Sequence, residues 1–83
     1  MKVKVLFFGA TADSAVARKA EIVLDENINA SDALNFIFKE FPNLEKNHKK
    51  NSLHFSINQE YANGDELISE GDELAVFTAV SGG

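Results

Sequence analysis

Few residues in this 83-residue chain have the type and spacing to do chemistry. There is no cysteine, which removes disulfides, zinc–thiolate sites and a cysteine nucleophile together. His48 and His54 fall on a predicted loop and a predicted strand. Neither has a carboxylate or thiol at a telling spacing, so both read as surface histidines. Ser14, Ser31, Ser52, Ser56, Ser69 and Ser81 sit in no nucleophile motif. Gly9 and Gly71 do not make a phosphate-binding spacing. The acids around Asp72 have the pattern of a turn and not of an acid/base pair. An internal active site is not expected, and no metal site either.

What remains is the terminus, Val80-Ser81-Gly82-Gly83. Glycine is about 7% of residues, so a terminal glycine pair arises by chance in roughly one chain in 200. Termini are commonly frayed, and a purely structural tail is one reading of this ending. Chemistry favours another. A free carboxylate is a poor electrophile because its charge repels nucleophiles, but joined to AMP it becomes a mixed anhydride that can be attacked. A carboxylate used in this way needs a slender support able to thread into another protein's active site. Glycine has no Cβ and permits close approach at any backbone angle. Gly82 and Gly83 on an otherwise folded domain would make a narrow probe on a rigid handle, with Gly83 as the reacting residue.

The elements that must carry such a tail can be read from hydrophobic periodicity. Over residues 2–8, Val3, Val5 and Phe7 share one face and Lys2, Lys4, Leu6 and Phe8 the other, which predicts a strand. Residues 9–19 read as a loop with room for a helical turn, and residues 20–24 as a second strand with Ala20, Ile22 and Leu24 inward. A helix is expected to start near Asn29 or Ser31, either of which can cap it. Its stripe is Ala30, Ala33, Leu34, Ile37, Phe38 and Phe41, with Phe36 off it, and Pro42 ends it. Residues 43–52 are polar and basic and read as a loop. A third strand follows at 53–57, then turn chemistry from Asn58 to Gly64 around a possible short strand at Tyr61, with Asn63-Gly64 a strong turn signal. A turn at Glu70-Gly71-Asp72 leads into a last strand, Leu74 to Thr78. The pattern is α+β, with one main helix on one face of the sheet and the opposite face left open.

Length and composition agree with a single domain over residues 1–83, of which 79–83 would be a flexible functional tail. A chain this size buries only about 60–65% of its unfolded surface. Hydrophobic residues are 45% and charged residues 25%, ordinary for a soluble domain. Net charge is −5, against a general nucleic-acid binder. Asp65, Glu66, Glu70, Asp72 and Glu73 crowd one stretch, and Lys46, His48, Lys49 and Lys50 another. Both fit solvated loops, although the acidic stretch would also suit steering of a basic partner. The apolar run at the N-terminus is too short for a signal peptide, and nothing approaches the roughly 20 apolar residues of a membrane span. A cytoplasmic location is expected.

On Val5-Leu6-Phe7-Phe8-Gly9, Ile57-Asn58-Gln59-Glu60, Glu70-Gly71-Asp72-Glu73-Leu74-Ala75 and Val80-Ser81-Gly82-Gly83, the chain resembles the small, sulfur-carrying subunits of molybdopterin synthase (MoaD-like). The resemblance covers most of the chain and rests on the order of these segments, the length and the glycine terminus. It implies a ubiquitin-like β-grasp with a mixed sheet of four to five strands. It also implies adenylation of the terminal glycine by an ATP-dependent, E1-like activating enzyme, conversion to a thiocarboxylate, and sulfur transfer to a pyranopterin precursor inside the large synthase subunit. Gly83 would then carry the sulfur, on a tail of Val80, Ser81 and Gly82. Leu6, Phe8, Ala75 and Phe77 would form an apolar partner surface at the root of that tail. No cofactor would be bound by the chain itself; ATP would belong to the activating enzyme. The chain departs from the family at Thr78-Ala79, where two prolines are common, and at Thr11-Ala12-Asp13, which lacks a usual glycine. The related thiamine-thiazole sulfur carriers, a ubiquitin-like protein modifier, and a plain binding module are the alternatives.

Overall fold

A computed structural model describes residues 1–49 and 52–78. In chain order the elements are β1 (Lys2–Phe7), α1 (Ala10–Ala15), β2 (Lys19–Val23), α2 (Ala30–Glu40), α3 (Asn43–Asn47), β3 (Leu53–Ile57), β4 (Glu60–Tyr61) and β5 (Glu73–Thr78). The five strands form one sheet in the order β2-β1-β5-β3-β4. The central pair, β1 and β5, is parallel; every other pair is antiparallel. This is the α+β, β-grasp arrangement expected from the sequence, with α2 as its main helix.

Alternation in β1 and β5 sorts the side chains cleanly. Val3, Val5, Phe7, Leu74 and Val76 are all at most 2% exposed and meet Ile37, Ala33 and Phe38 of α2 and Leu44 of α3 in one core. Each such aliphatic side chain contributes about 1.5–3 kcal/mol through burial. Phe7 and Phe41 meet edge to face at 4.9 Å between ring centroids, the offset geometry that aromatic quadrupoles favour. Leu34 and Phe36 are half-buried against this core.

The start of α2 is fixed by partners for the N–H groups that a helix leaves free. Asn29 is the N-cap, its side chain accepting from Asp32 N–H at 2.9 Å. Ala30 N–H donates to Glu66 O and Ser31 N–H to Gly64 O. The loop carrying the acidic stretch is thereby stitched to the helix. Phe41, before proline, leaves helical geometry at φ −129° and ψ 72°, as the proline demands.

Both segments read as loops contain helix, the first as the helical turn it had room for and the second unexpectedly. Pro42 ends α2 but also starts α3, because its fixed φ suits the first position of a helix. Leu44, a lone apolar residue in a polar run, pins α3 by burying completely. The first loop contains α1. It turns off β1 at Gly9, whose φ of 54° and ψ of −118° lie where only glycine is comfortable. It ends at Val16 in left-handed geometry, φ 57°. The β3–β4 turn is Asn58-Gln59, both with positive φ, so the hairpin reverses five residues before the Asn63-Gly64 signal.

Candidate functional site

The site is assembled where β1 and β5 end and β3 begins, on the sheet face away from α2. The register places Leu6 beside Ala75, Ala75 beside Ser56, and Ser56 beside Tyr61, in one row across four strands. Phe77 pairs with His54, and Phe8 follows β1 on the same side. Among the predicted surface residues, Phe8 is 52% exposed and Ala75 only 9%; Leu6 and Phe77 are half-buried. A shallow groove lined by Phe8, Gly9, Ala10, Phe77 and Thr78 opens at this end.

His54, Phe77 and Tyr61 form an aromatic cluster that the pattern of no single strand reveals. His54 and Phe77 stack at 5.7 Å with a 24° interplanar angle, Tyr61 tilts against Phe77 at 5.7 Å, and His54 meets Tyr61 edge-on at 5.9 Å. His54 does point outward from the core, but it is half-buried by these neighbours and not a free surface histidine. The signal that would have found the cluster is register: β3 lies antiparallel to β5, which sets outward His54 against outward Phe77.

The opposite end of the same face is charged. Lys4 lies between Glu21 on β2 and Glu73 on β5. The acidic stretch does local structural work close by. The Glu66 carboxylate accepts from Asn63 N–H at 2.7 Å and Gly64 N–H at 2.9 Å. These backbone donors, Asn63 first, hold its pKa below the ordinary carboxylate value because they stabilise the ionised form. Asp72 accepts from Ser69 N–H and from the Asn58 side chain, and Glu70 accepts from Lys2 N–H.

His48 also has a companion. Its Nε2 lies 2.9 Å from Ser14 Oγ, which accepts a second bond from Asn47 Nδ2 at 3.2 Å. His48 is half-buried as a result, correcting its reading as a plain surface histidine. The pair ties α3 to α1, and among the described residues no third group is hydrogen-bonded to the imidazole. Among the described residues no group of three or more His, Asp or Glu could hold a metal ion, and no helix is long and apolar enough to cross a membrane. Val80, Ser81, Gly82 and Gly83, the tail singled out from sequence, lie outside the described residues. Thr78, at the end of β5, is their point of departure.

Comparison with known proteins places this geometry among relatives. The chain is 31% identical to the molybdopterin synthase sulfur carrier subunit of Chlamydomonas reinhardtii, with all of both chains covered. It is 33% identical to the human protein of the same name, over 99% of this chain and 94% of that one. Among solved structures it is similar to SAMP1 of Haloferax volcanii, with 28% identity, a TM-score of 0.87 and all of both chains covered. The model of the ThiS family matches residues 5–83, through the glycine terminus. By that match and by the full-length relatives, the chain belongs to the ThiS family.

Proposed function

We propose that the chain is the sulfur carrier of a molybdopterin synthase, with Gly83 as its acceptor and donor. The observation that carries this reading is the full-length likeness to two proteins named as molybdopterin synthase sulfur carrier subunits, in a chain that itself ends Gly82-Gly83. ATP converts the Gly83 carboxylate to an acyl-adenylate with release of pyrophosphate. A hydrosulfide equivalent then attacks the acyl carbon and expels AMP, leaving a thiocarboxylate. An E1-like enzyme supplies the site for these steps. In the large synthase subunit the thiocarboxylate sulfur, a far better nucleophile than the original oxygen, attacks a carbon of the pyranopterin precursor and displaces an oxygen leaving group; water then cleaves the acyl C–S bond, which leaves the sulfur on the precursor and returns Gly83 as a free carboxylate. The large subunit docks on Leu6, Phe8, Ala75 and Phe77 and receives the tail. Exposed contiguous apolar surface usually marks such a partner site, and this one adjoins the departure of residues 79–83.

A second reading is favoured by the SAMP1 likeness, since a related solved structure carries the name small archaeal modifier protein 1. In that reading the activated Gly83 is captured by a lysine amine and forms an isopeptide bond.

Intact mass after incubation with ATP, an E1-like enzyme and a sulfur donor distinguishes them. The carrier reading expects the mass increment of one oxygen replaced by sulfur at Gly83, and none in a chain ending at Gly82, whose fold is unchanged. Conjugation to lysine without that increment would establish the modifier instead. Full sulfur loading of the chain ending at Gly82 would overturn the mechanism.

A further inference from the structure

Thr11 is a buried hydroxyl at the point where the sheet releases the C-terminal chain. It is 0% exposed and belongs to α1, not to the sheet. Along the parallel β1–β5 pair, Lys4 N–H donates to Asp72 O at 3.0 Å. The same offset, carried to the end of the pair, would set Phe8 N–H on Val76 O. That rung is interrupted. Phe8 N–H donates instead to Thr11 Oγ1 at 3.0 Å, and Thr11 Oγ1 lies 2.7 Å from Val76 O.

The hydroxyl has one proton and two carbonyls in reach, Val76 O at 2.7 Å and Phe8 O at 3.0 Å. Phe8 O already accepts from Thr11 N–H, and the Val76 contact is shorter, so the proton belongs on Val76 O. The result is a relay, Phe8 N–H to Thr11 O–H to Val76 O, with one hydroxyl wedged into the last rung. The paired register of β1 and β5 ends there, at Phe7 and Val76. That rung lies two residues before Thr78, beside the groove lined by Phe8, Gly9, Ala10, Phe77 and Thr78.

We propose that Thr11 is a positioning residue for the end of β5: its hydroxyl, inserted between the ends of β1 and β5, sets the course of Phe77 and Thr78, the residues that precede the tail, relative to the apolar face. The proposal rests on the sulfur-carrier reading for its consequence, because the tail must reach an acceptor in a partner docked on that face. The chain has Thr78-Ala79 here, so no proline ring fixes the backbone at this exit. A hydroxyl tether from α1 supplies the constraint from outside the strand. Misplacing a reacting group by about 1 Å can cost on the order of 100-fold in rate.

The test compares Thr11→Ser and Thr11→Ala, which differ by the hydroxyl alone, in the full chain prepared chemically as the Gly83 thiocarboxylate. With a molybdopterin synthase large subunit at saturation, the first-order transfer rate of Thr11→Ser should lie within about twofold of the unsubstituted chain, and Thr11→Ala should be about tenfold slower or more. Affinity for the large subunit should be the same in both. A merely structural threonine would lower the unfolding midpoint and leave the rate within the assembled complex alone. Thr11→Val, which fills the space without a donor, should repeat the loss and stands in if Thr11→Ala fails to fold. Equal rates for Ser and a folded Ala or Val variant overturn the proposal. A second readout needs no transfer. Amide NMR shifts of Phe8, Phe77 and Thr78 should move in Thr11→Ala while those of Lys4 and Glu73 stay in place. Unmoved Thr78 overturns the wedge whatever the rate, whereas moved amides with no transfer even by the unsubstituted chain uphold it and overturn the carrier reading.

Discussion

The sheet has two faces built from the same strands, and they have been put to different uses. Toward α2, Val3, Val5 and Phe7 of β1, Phe55 of β3 and Leu74 and Val76 of β5 are apolar and buried, with Leu53 and Ile57 of β3 partly buried at their margin, so that face answers to packing. On the other side the same strands run from charge to aromatic surface within two rows. Glu21, Lys4 and Glu73 occupy one row; in the next, Lys19 at the β2 edge is followed by Leu6, Ala75, Ser56 and Tyr61, with Phe77 and His54 beyond. A face that only needed to be soluble would have stayed charged to its end. The apolar half lies at the end from which the tail departs. The lesson is that burial alone does not distinguish a core residue from an interface residue in so thin a domain. Ala75, at 9% exposure, is nearly as covered as the core and yet lies on the face away from α2, the one proposed to dock a partner.

Substitutions can break that contrast, beginning with the largest effect. Ile37→Ala removes a fully buried side chain from α2 and should cost about 2–5 kcal/mol of stability. Denaturant unfolding measures this, and the affinity of the protein that remains folded for the large subunit should not change. A loss of affinity in folded Ile37→Ala would mean that the two faces are not independent. Phe77→Ala should do the reverse. As an interface anchor it should weaken large-subunit binding by about 2 kcal/mol or more in calorimetry, with a smaller loss of fold stability. A destabilised fold with unchanged affinity would assign Phe77 to the core. His54→Ala is the finest probe. It removes stacking on Phe77 worth about 0.5–1.5 kcal/mol and should weaken the same binding by no more than that, leaving first-order sulfur transfer in the complex unaltered. A large drop in that rate would reveal chemistry at His54.

Much of the fold is legible in the amino-acid sequence alone. The alternation of β1 and β5, the stripe of α2 and the stop at Pro42 are strong because each repeats one physical rule over several residues. α3 is hidden because one buried residue, Leu44, holds it, and a single apolar side chain has no period. The turn chemistry from Asn58 to Gly64 and the short strand at Tyr61 are there, but which pair reverses the chain is not legible: Asn58-Gln59 does so at positive φ without a glycine, while Asn63-Gly64 serves to receive α2. Of the site, Leu6, Phe8, Ala75 and Phe77 follow from strand alternation plus the neighbouring of β1 and β5. His54 and Tyr61 join them only through the register of three strands, which no local pattern encodes. The Thr11 relay is less visible still, since it depends on where one hydroxyl falls between two backbones.

The place of β5 in the sheet has a consequence for how the protein is made. The last strand among the described residues is the middle strand of the sheet, between β1, the first, and β3. Synthesis proceeds at about 5–20 residues per second, and through all of it β1 has no central partner. A chain interrupted anywhere before β5 has two half-sheets and nothing to join them. Folding of the sheet therefore waits for β5. A copy whose two half-sheets are joined is one in which the chain has been made through Thr78.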